Sequence, residues 1–498
     1  MKIILVFKTH FDIGFTDLAS NVIDQYAGSM LEQVIETCKG TQKLGKRNFV
    51  WTMPAWPLWH IVNHSEPKLK KELDELIENG QVVWHALPFT SHTDFATPGE
   101  YLRGFTYSRL LAERYHKPFP IAAKMTDVPG HSVMLPDLLS QAGIRFLHLG
   151  CNEFATPPEV PELFYWQAPG GRKVLTMYSR GGYGSGLIPP KSWKYPVWMA
   201  LMHTTDNSGP QSADAIEHMV KEIQKTYPDA EIVCGTMDDF YRELETCDLS
   251  DVPVLQKDMA DTWIHGVGAY PKEVGVLRKD RKMAETMEAI WANLLLTDTP
   301  LDAEKEEEIS KLWDAYYHQI TMFEEHTWGA DVKTYMGPNR VYKKEEFQEA
   351  KDSDTYRFME QSWEEQKERV RESHKATGNL RAELIAQKGG KNQKEWYLFY
   401  QGSGSYTGWV ELPETWEQPV VTLDGKKLSC EKIAGTWQVY VENLEGFRSV
   451  TIRIKEKCCA DAENATENTD RCSEKCVEKK SEQGESNSTG KDAAGIAC

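Results

Sequence analysis

Short apolar runs alternate with helical patterns through the first half of the chain. Lys2–Phe7, Gln81–Trp84, Ile121–Met125, Arg145–Leu149, Lys173–Tyr178 and Glu231–Cys234 read as strands. Between them, helical spacing runs through Asn21–Cys38, Lys68–Asn79, Tyr101–Tyr115, Leu135–Ala142 and Ala213–Thr226. Parallel strands need a crossover, and a helix supplies it, so this rhythm predicts an α/β catalytic domain over residues 1–260, a parallel-sheet, barrel-like core with outer helices. In such folds the chemistry collects at the carboxyl ends of the strands.

The pattern then lengthens. Ile309, Leu312, Trp313, Tyr316, Ile320 and Phe323 share one helical face, and helices around Leu277–Leu296 and Glu345–Ser373 flank it. A three-helix bundle over 261–377 is the expectation. After Lys388 the period turns to two: Trp396–Tyr400, Trp409–Leu412, Val420–Leu423, Trp437–Val441 and Val450–Ile454 predict a small β-sandwich-like domain over 388–457, with a tight turn at Asp424-Gly425. Beyond it, Val477 and Ile496 are the only branched aliphatics, so 458–498 reads as a disordered tail containing five cysteines.

Composition adds exclusions. With 498 residues and 40% hydrophobics, the chain has room for about three domains and a real core. A net charge of −18 opposes binding to nucleic acid and to anionic membranes. No apolar run approaches the ~18–20 residues of a membrane span. The run Ile3–Phe7 is shorter than the ~7–15 residues of a signal h-region and no small-residue cleavage site follows, so it reads as a buried strand and the protein as cytoplasmic. Cys38, Cys151, Cys234, Cys247 and Cys430 are scattered as free thiols would be. The crowded tail cysteines lack the apolar surroundings of a packed metal site. P-loop, dinucleotide, nucleophile-elbow and HExxH motifs are missing.

Three segments carry chemistry. His10 and Asp12 leave the first strand on one face, since a strand has period two, and read either as half of a metal site or as a loop histidine bonded to a nearby aspartate. Asp127 lies where Ile121–Met125 gives way to a loop containing Gly130 and His131; it reads either as a ligand or as a cap for the next helix. His326 continues the apolar stripe that ends at Phe323, as a core residue or as a ligand.

Taken in order, these segments resemble glycoside hydrolase family 38, the α-mannosidases, in a divergent form. The matching stretches are THFDIGFTD at residue 9, KMTDVPGHSVMLPDLLSQAGIRFLHLG at 124, CGTMDDFYREL at 234, DTWIHGVGAYP at 261 and YYHQITMFEEHTWGA at 316. WYLFYQGSGSYTGWVELP at 396 resembles the start of the family's β region, whose remainder is short here, so the β region is expected to be abbreviated. The resemblance implies a zinc ion, or another divalent cation, held by His10, Asp12, Asp127 and His326, with two adjacent sugar hydroxyls completing the site. It also implies retaining hydrolysis of an α-linked sugar, most simply an α-mannoside, with Asp127 as nucleophile. The acid is expected to be Asp206, in the polar stretch HTTDNSGPQS; Asp239 and Asp261 are the alternatives. Phe15 stands where the family pattern has Trp. With Trp84, Asp94, Trp263, His265 and Tyr270 it is expected to line the sugar site, each aromatic having ordinary core packing as its alternative. The partner is then a carbohydrate, a neutral glycan given the acidic chain; an oligomer is left open. Other readings are a metal-dependent polysaccharide deacetylase and a non-catalytic glycan-binding descendant.

Overall fold

The computed structural model describes residues 1–263, 267–296, 301–337, 343–387, 394–417 and 419–455; His265 and the cysteine-containing segment 458–498 lie outside them. The chain forms two compact units, Met1–Leu277 with Ala315–His374, and Arg278–Asp314 with Lys375–Cys498.

The first unit carries β1 (Lys2–His10), β2 (Trp51–Met53), β3 (Val82–Trp84), β4 (Ala122–Met125), β5 (Gly130–His131), β6 (Phe146–Gly150), β7 (Leu163–Gln167), β8 (Lys173–Ser179), β9 (Val197–Asp206), β10 (Glu231–Cys234), β11 (Val254–Leu255) and β12 (Met259–Ala260). In one five-stranded sheet β1 pairs in parallel with β9 from Lys2–Val197 to His10–Asp206, and also with β10 and β2. β3 follows β2 in parallel. A second sheet runs β11-β7-β8-β6-β4, parallel from β4 to β8, with β7 antiparallel to β8. Buried on both faces, β1 reads as an unbroken apolar run, and Ile3, Leu5, Val6 and Phe7 are all fully buried. Trp51, Trp198 and Phe240 complete that core.

Two strands depart from expectation for the same reason, polar residues turned inward. Lys8 reads as the end of the first strand, yet β1 continues through it to His10 with Lys8 buried. The stretch HTTD reads as a loop, yet it completes β9, so Asp206 is the last residue of a strand and lies beside His10. The expected helix Tyr101–Tyr115 is two helices, Pro98–Arg103 and Thr106–Tyr115, parted near Gly104, where an added Cβ would meet the Tyr101 carbonyl oxygen at 3.1 Å.

Three long helices, Pro271–Leu295, Ala303–Phe323 and Asp354–Gln387, make up most of the helical region. On the second of them the apolar stripe is buried at Ile309, Trp313, Tyr316, Ile320 and Phe323. In the second unit the β region forms two antiparallel sheets. One has β13 (Glu395–Tyr400), β15 (Val421–Leu423), β16 (Lys426–Lys427) and β19 (Arg448–Ile454). The other has β14 (Ser405–Glu411), β17 (Cys430–Ile433) and β18 (Thr436–Glu445). Leu398, Val421 and Ile452 of the first sheet share a core with Val439, Val441 and Leu444 of the second. The expected turn is present: Asp424 and Gly425 have φ of 51° and 79°, both positive as a two-residue type I′ turn requires. Among the described residues, no helix is long and apolar enough to cross a membrane.

Candidate active site

The carboxyl ends of strands from both five-stranded sheets of the first unit meet at one point. β1 supplies His10 and, just past its end, Asp12; β4 is followed by Asp127; β9 ends in Asp206. His326 comes from beyond the helix Ala303–Phe323 rather than from its buried face. That segment is held by a short bridge from Ser91 to Glu325, by the His326 N–H donating to the Thr90 carbonyl oxygen at 3.2 Å, and by the His92 ring 3.1 Å from the His326 carbonyl oxygen.

The donor atoms converge. His10 Nε2 lies 3.1 Å from Asp12 Oδ1 and 3.2 Å from both Asp127 Oδ2 and His326 Nε2. His326 Nε2 lies 2.9 Å from Asp12 Oδ1 and 4.0 Å from Asp127 Oδ2. An ion held tetrahedrally at about 2.0–2.2 Å has donor–donor edges of roughly 3.3–3.6 Å, a range these separations bracket. All four side chains are at least 95% buried, and Asp127 Oδ1 has no hydrogen-bond partner. Two buried carboxylates and two imidazoles with facing nitrogens require positive charge between them. The residues therefore fit a divalent cation. Burial works against the His10 and His326 cations, but the carboxylates beside them prevail and push both rings up. Asp12 is buried too, yet those rings hold it well below the usual carboxylate range.

A second layer positions the donors. Asp127 has φ of 58°, an uncommon conformation for a residue with a side chain. Its Oδ2 accepts from the Tyr183 hydroxyl, which in turn accepts from Asn152 Nδ2 at 2.8 Å. The Tyr183 ring stacks on His10 at 4.5 Å between centroids. Burial, reinforced by Asp127, keeps the phenol protonated and so a donor. Tyr183 sits in the loop GGYGSG, whose glycines are required: a Cβ on Gly184 would come 2.3 Å from the Leu201 carbonyl oxygen. His326 Nδ1 lies 2.6 Å from Glu325 Oε1, while Glu325 Oε2 accepts from the Thr327 and Ile13 backbone N–H groups at 3.0 and 3.3 Å. A carboxylate behind a histidine fixes its tautomer and ring orientation.

Asn207 clamps the first strand's exit. It accepts from the Asp12 N–H at 3.0 Å and the Tyr26 hydroxyl at 3.1 Å, and donates to the Asp12 carbonyl oxygen at 2.8 Å and Thr16 Oγ1 at 2.9 Å. Its φ of 50° suits Asn better than most residues. Each buried group left unpaired costs about 1–3 kcal/mol, so Asn207→Ala should lose about 3 kcal/mol in urea unfolding. A midpoint equal to that of wild type would mean the clamp adds no stability.

The expected acids separate clearly in space. Asp206 lines the cavity, and its carboxyl oxygen lies within 4.8 Å of donor atoms of His10 and Asp12. Burial, then the Asp12 charge, pushes its carboxyl up to about 6. Asp239 instead forms a capping box with Thr236 at the start of the helix Met237–Leu244. Asp261 accepts from the Trp263 N–H at 2.7 Å. Neither of these two is among the residues lining the cavity.

The cavity above the donors measures about 860 Å³. Phe15 and Trp263 line it, joined by Trp328, Tyr335 and Phe154, which the sequence did not single out. Three expected contacts lie elsewhere. Trp84 is packed in the main core, with its indole N–H on Ser108 Oγ at 3.0 Å. Tyr270 is buried against Phe323 and donates to the Trp328 carbonyl oxygen. Asp94 supports the Asp127 loop: a Cβ on Gly130 would meet Asp94 Oδ2 at 2.9 Å.

Behind the donors lie further bases. Lys8, Lys124, His85 and His148 are all buried. Burial, opposed by Asp12, pulls Lys8 down to about 7, and burial with the neighbouring Lys8 charge pulls Lys124 well below its usual value. Burial and the two lysines likewise hold His85 and His148 well below theirs.

Sheet ends, buried donors and an open cavity together define the candidate site. Residues 1–243 match the family described as glycosyl hydrolases family 38, N-terminal domain. Residues 304–394 match a domain of unknown function, DUF5054. A comparison with curated proteins gave no match. Among solved structures, an alpha-mannosidase from Enterococcus faecalis V583 aligns with a TM-score of 0.63 at 10% identity, covering 91% of this chain and 56% of that one. A glycosyl hydrolase family 38 protein from Enterococcus faecalis aligns with a TM-score of 0.56 at 12% identity, covering 91% and 54%. The chain thus spans a little over half the length of these two proteins, and the likeness to them is one of fold.

Proposed function

We propose that the protein is a metal-dependent glycoside hydrolase that cleaves α-linked sugars with retention, α-mannosides first among them. One observation carries the reading: a carboxylate, Asp127, faces an open cavity beside His10, Asp12 and His326, with a second carboxyl, Asp206, close by and pushed up to about 6 by burial and then the Asp12 charge. A divalent cation bound by His10, Asp12, Asp127 and His326 would supply positive charge and orient two neighbouring sugar hydroxyls. Asp127 attacks the anomeric carbon, its oxygen steadied by the Tyr183 hydroxyl and Tyr183 by Asn152. Asp206 gives its proton to the leaving oxygen and takes one back from water when the glycosyl-enzyme is hydrolysed. The cavity wall carries Asp12, Asp127, Glu153, Asp206 and Asp331 against one lysine, Lys333, which suits a neutral glycan better than an anionic one.

The test is product analysis by NMR with an α-mannoside, with and without a chelator. The reading expects an α-anomer as first product and loss of turnover on chelation. Free acetate from an acetylated glycan, with the glycosidic bond intact, would identify a deacetylase instead.

Because Asp206 must be protonated to act, kcat should fall as pH rises through about 6, where its carboxyl ionises. A neighbouring dication favours the carboxylate, so the loaded enzyme's alkaline limb should lie at or below that value. Asp206→Asn should abolish the limb along with most activity. An unchanged limb in that variant would assign the acid to another group.

A further inference from the structure

We propose that Phe154 is the platform of an aglycone subsite, so that the preferred substrate is a neutral glycan of at least two sugar rings rather than a simple glycoside. The proposal rests on the glycosidase reading and goes beyond it to the size and chemistry of the ligand. Phe154 is 84% exposed, yet it lines the same cavity as Asp127. A phenylalanine left in water forgoes about 1.5–3 kcal/mol of burial, which a flat sugar face laid on the ring would recover.

The ring is not carried by a slack loop. The Phe154 N–H donates to Asn152 Oδ1 at 3.1 Å, and the Ala155 N–H to the Asn152 carbonyl oxygen at 2.9 Å. Asn152 Nδ2 is the group that donates to the Tyr183 hydroxyl, so a single asparagine shapes the Phe154 turn and holds the tyrosine bonded to Asp127. Two residues on, the Thr156 N–H donates to Thr262 Oγ1 at 2.7 Å, tying this loop to the segment that carries Trp263.

The cavity's aromatics therefore fall into two groups. Phe15, Trp328 and Tyr335 form one: the Asp331 N–H donates to the Phe15 carbonyl oxygen at 2.9 Å, and the Tyr335 hydroxyl to that of Thr16. This group belongs to the segments that carry Asp12 and His326. Phe154 and Trp263 form the other, linked through Asn152 and Tyr183 to the nucleophile. A cavity of about 860 Å³ lies high in the range of about 300–1,000 Å³ that whole ligands occupy. That leaves space beyond the ring being cleaved. Glu153, also on the cavity wall, offers a carboxylate to the hydroxyls of a second ring.

The experiment compares wild type, Phe154→Ala and Phe154→Trp on α-mannosyl fluoride, whose leaving group has no ring, and on α-linked mannobiose. The ratio of kcat/KM for mannobiose to that for the fluoride should fall roughly tenfold in Phe154→Ala, with most of it retained in Phe154→Trp. An unchanged ratio, whether both rates hold or both fall together, would overturn the subsite. If wild type hydrolyses neither compound, the glycosidase reading fails, and calorimetric titration with mannobiose decides the subsite separately. Binding that weakens roughly tenfold in Phe154→Ala supports it; equal binding, or none to wild type, overturns it.

Discussion

Asp127→Asn should cost at least about 10⁴-fold in kcat while leaving the fold intact. The amide has the carboxylate's shape, and its oxygen still accepts from the Tyr183 hydroxyl, so the loop keeps its contact. What is lost is the negative charge and the oxygen that, in the proposed mechanism, would attack the anomeric carbon. Little energy is available to replace them, because each tenfold in rate is about 1.4 kcal/mol of transition-state stabilisation, and neutral donors cannot attack the anomeric carbon. Circular dichroism and the unfolding midpoint report the fold; stopped assays with an α-mannosyl substrate report the rate. Turnover above a tenth of wild type, in a variant with wild-type metal content, would remove Asp127 from the role of nucleophile.

The second large effect concerns the metal. His326→Ala should empty the site as thoroughly as His10→Ala, since each deletes one of four converging donors and leaves two buried carboxylates without sufficient positive charge. Glu325→Gln removes only the carboxylate 2.6 Å behind His326, and partners in that position are worth about 10–100-fold in affinity. The expected order of losses is therefore His326→Ala equal to His10→Ala, both greater than Glu325→Gln. Elemental analysis after dialysis and competition with a chromophoric chelator measure it. Full occupancy in His326→Ala would show that the fourth donor lies elsewhere. A loss in Glu325→Gln as large as in His326→Ala would show that the carboxylate itself binds the ion, as the close grouping of Asp12, Glu325 and His326 permits.

What was legible in the sequence depended on how far apart the cooperating residues lie. The strand and helix rhythm, the free cysteines and the stripe from Ile309 to Phe323 are local patterns; the expected strands appear close to their bounds, whereas β2, β7, β9 and the helix Ala55–His64 were not foreseen and the expected helix Glu345–Ser373 is Lys344–Ala350 followed by Asp354–Gln387. His10 and Asp12 could be paired from one strand's period. Placing Asp127 and His326 with them required an ordered set of motifs, because no local rule connects positions more than a hundred residues apart. Lys8 and the stretch HTTD misled because polarity marks a strand's end only when its interior is apolar; here the strands run on into a polar centre of histidines, lysines and acids. Trp84 and Tyr270 misled in the opposite way, being aromatics that the main core and a buried carbonyl claim. Tyr183 and Asn207 left no signal beyond the glycine-rich loop and the neighbouring Asp206. Their importance lies in hydrogen bonds that form only once the strand ends have met.

The origin of His326 has a consequence for how the protein is made. The family match closes at residue 243, and three of the four converging donors have been synthesised by then. The fourth is 316 residues from His10 in sequence. Contacts of such separation form late and slowly, since a long loop must close before they bring any return. At elongation rates of about 5–20 residues per second, the sheets of the first unit can assemble well before His326 leaves the ribosome. During that interval the nascent chain holds an unfinished charge cluster, two carboxylates with one imidazole. Completion of the site is therefore a late event of biogenesis, and cation capture would report the arrival of the segment around residue 326 rather than the folding of the N-terminal domain.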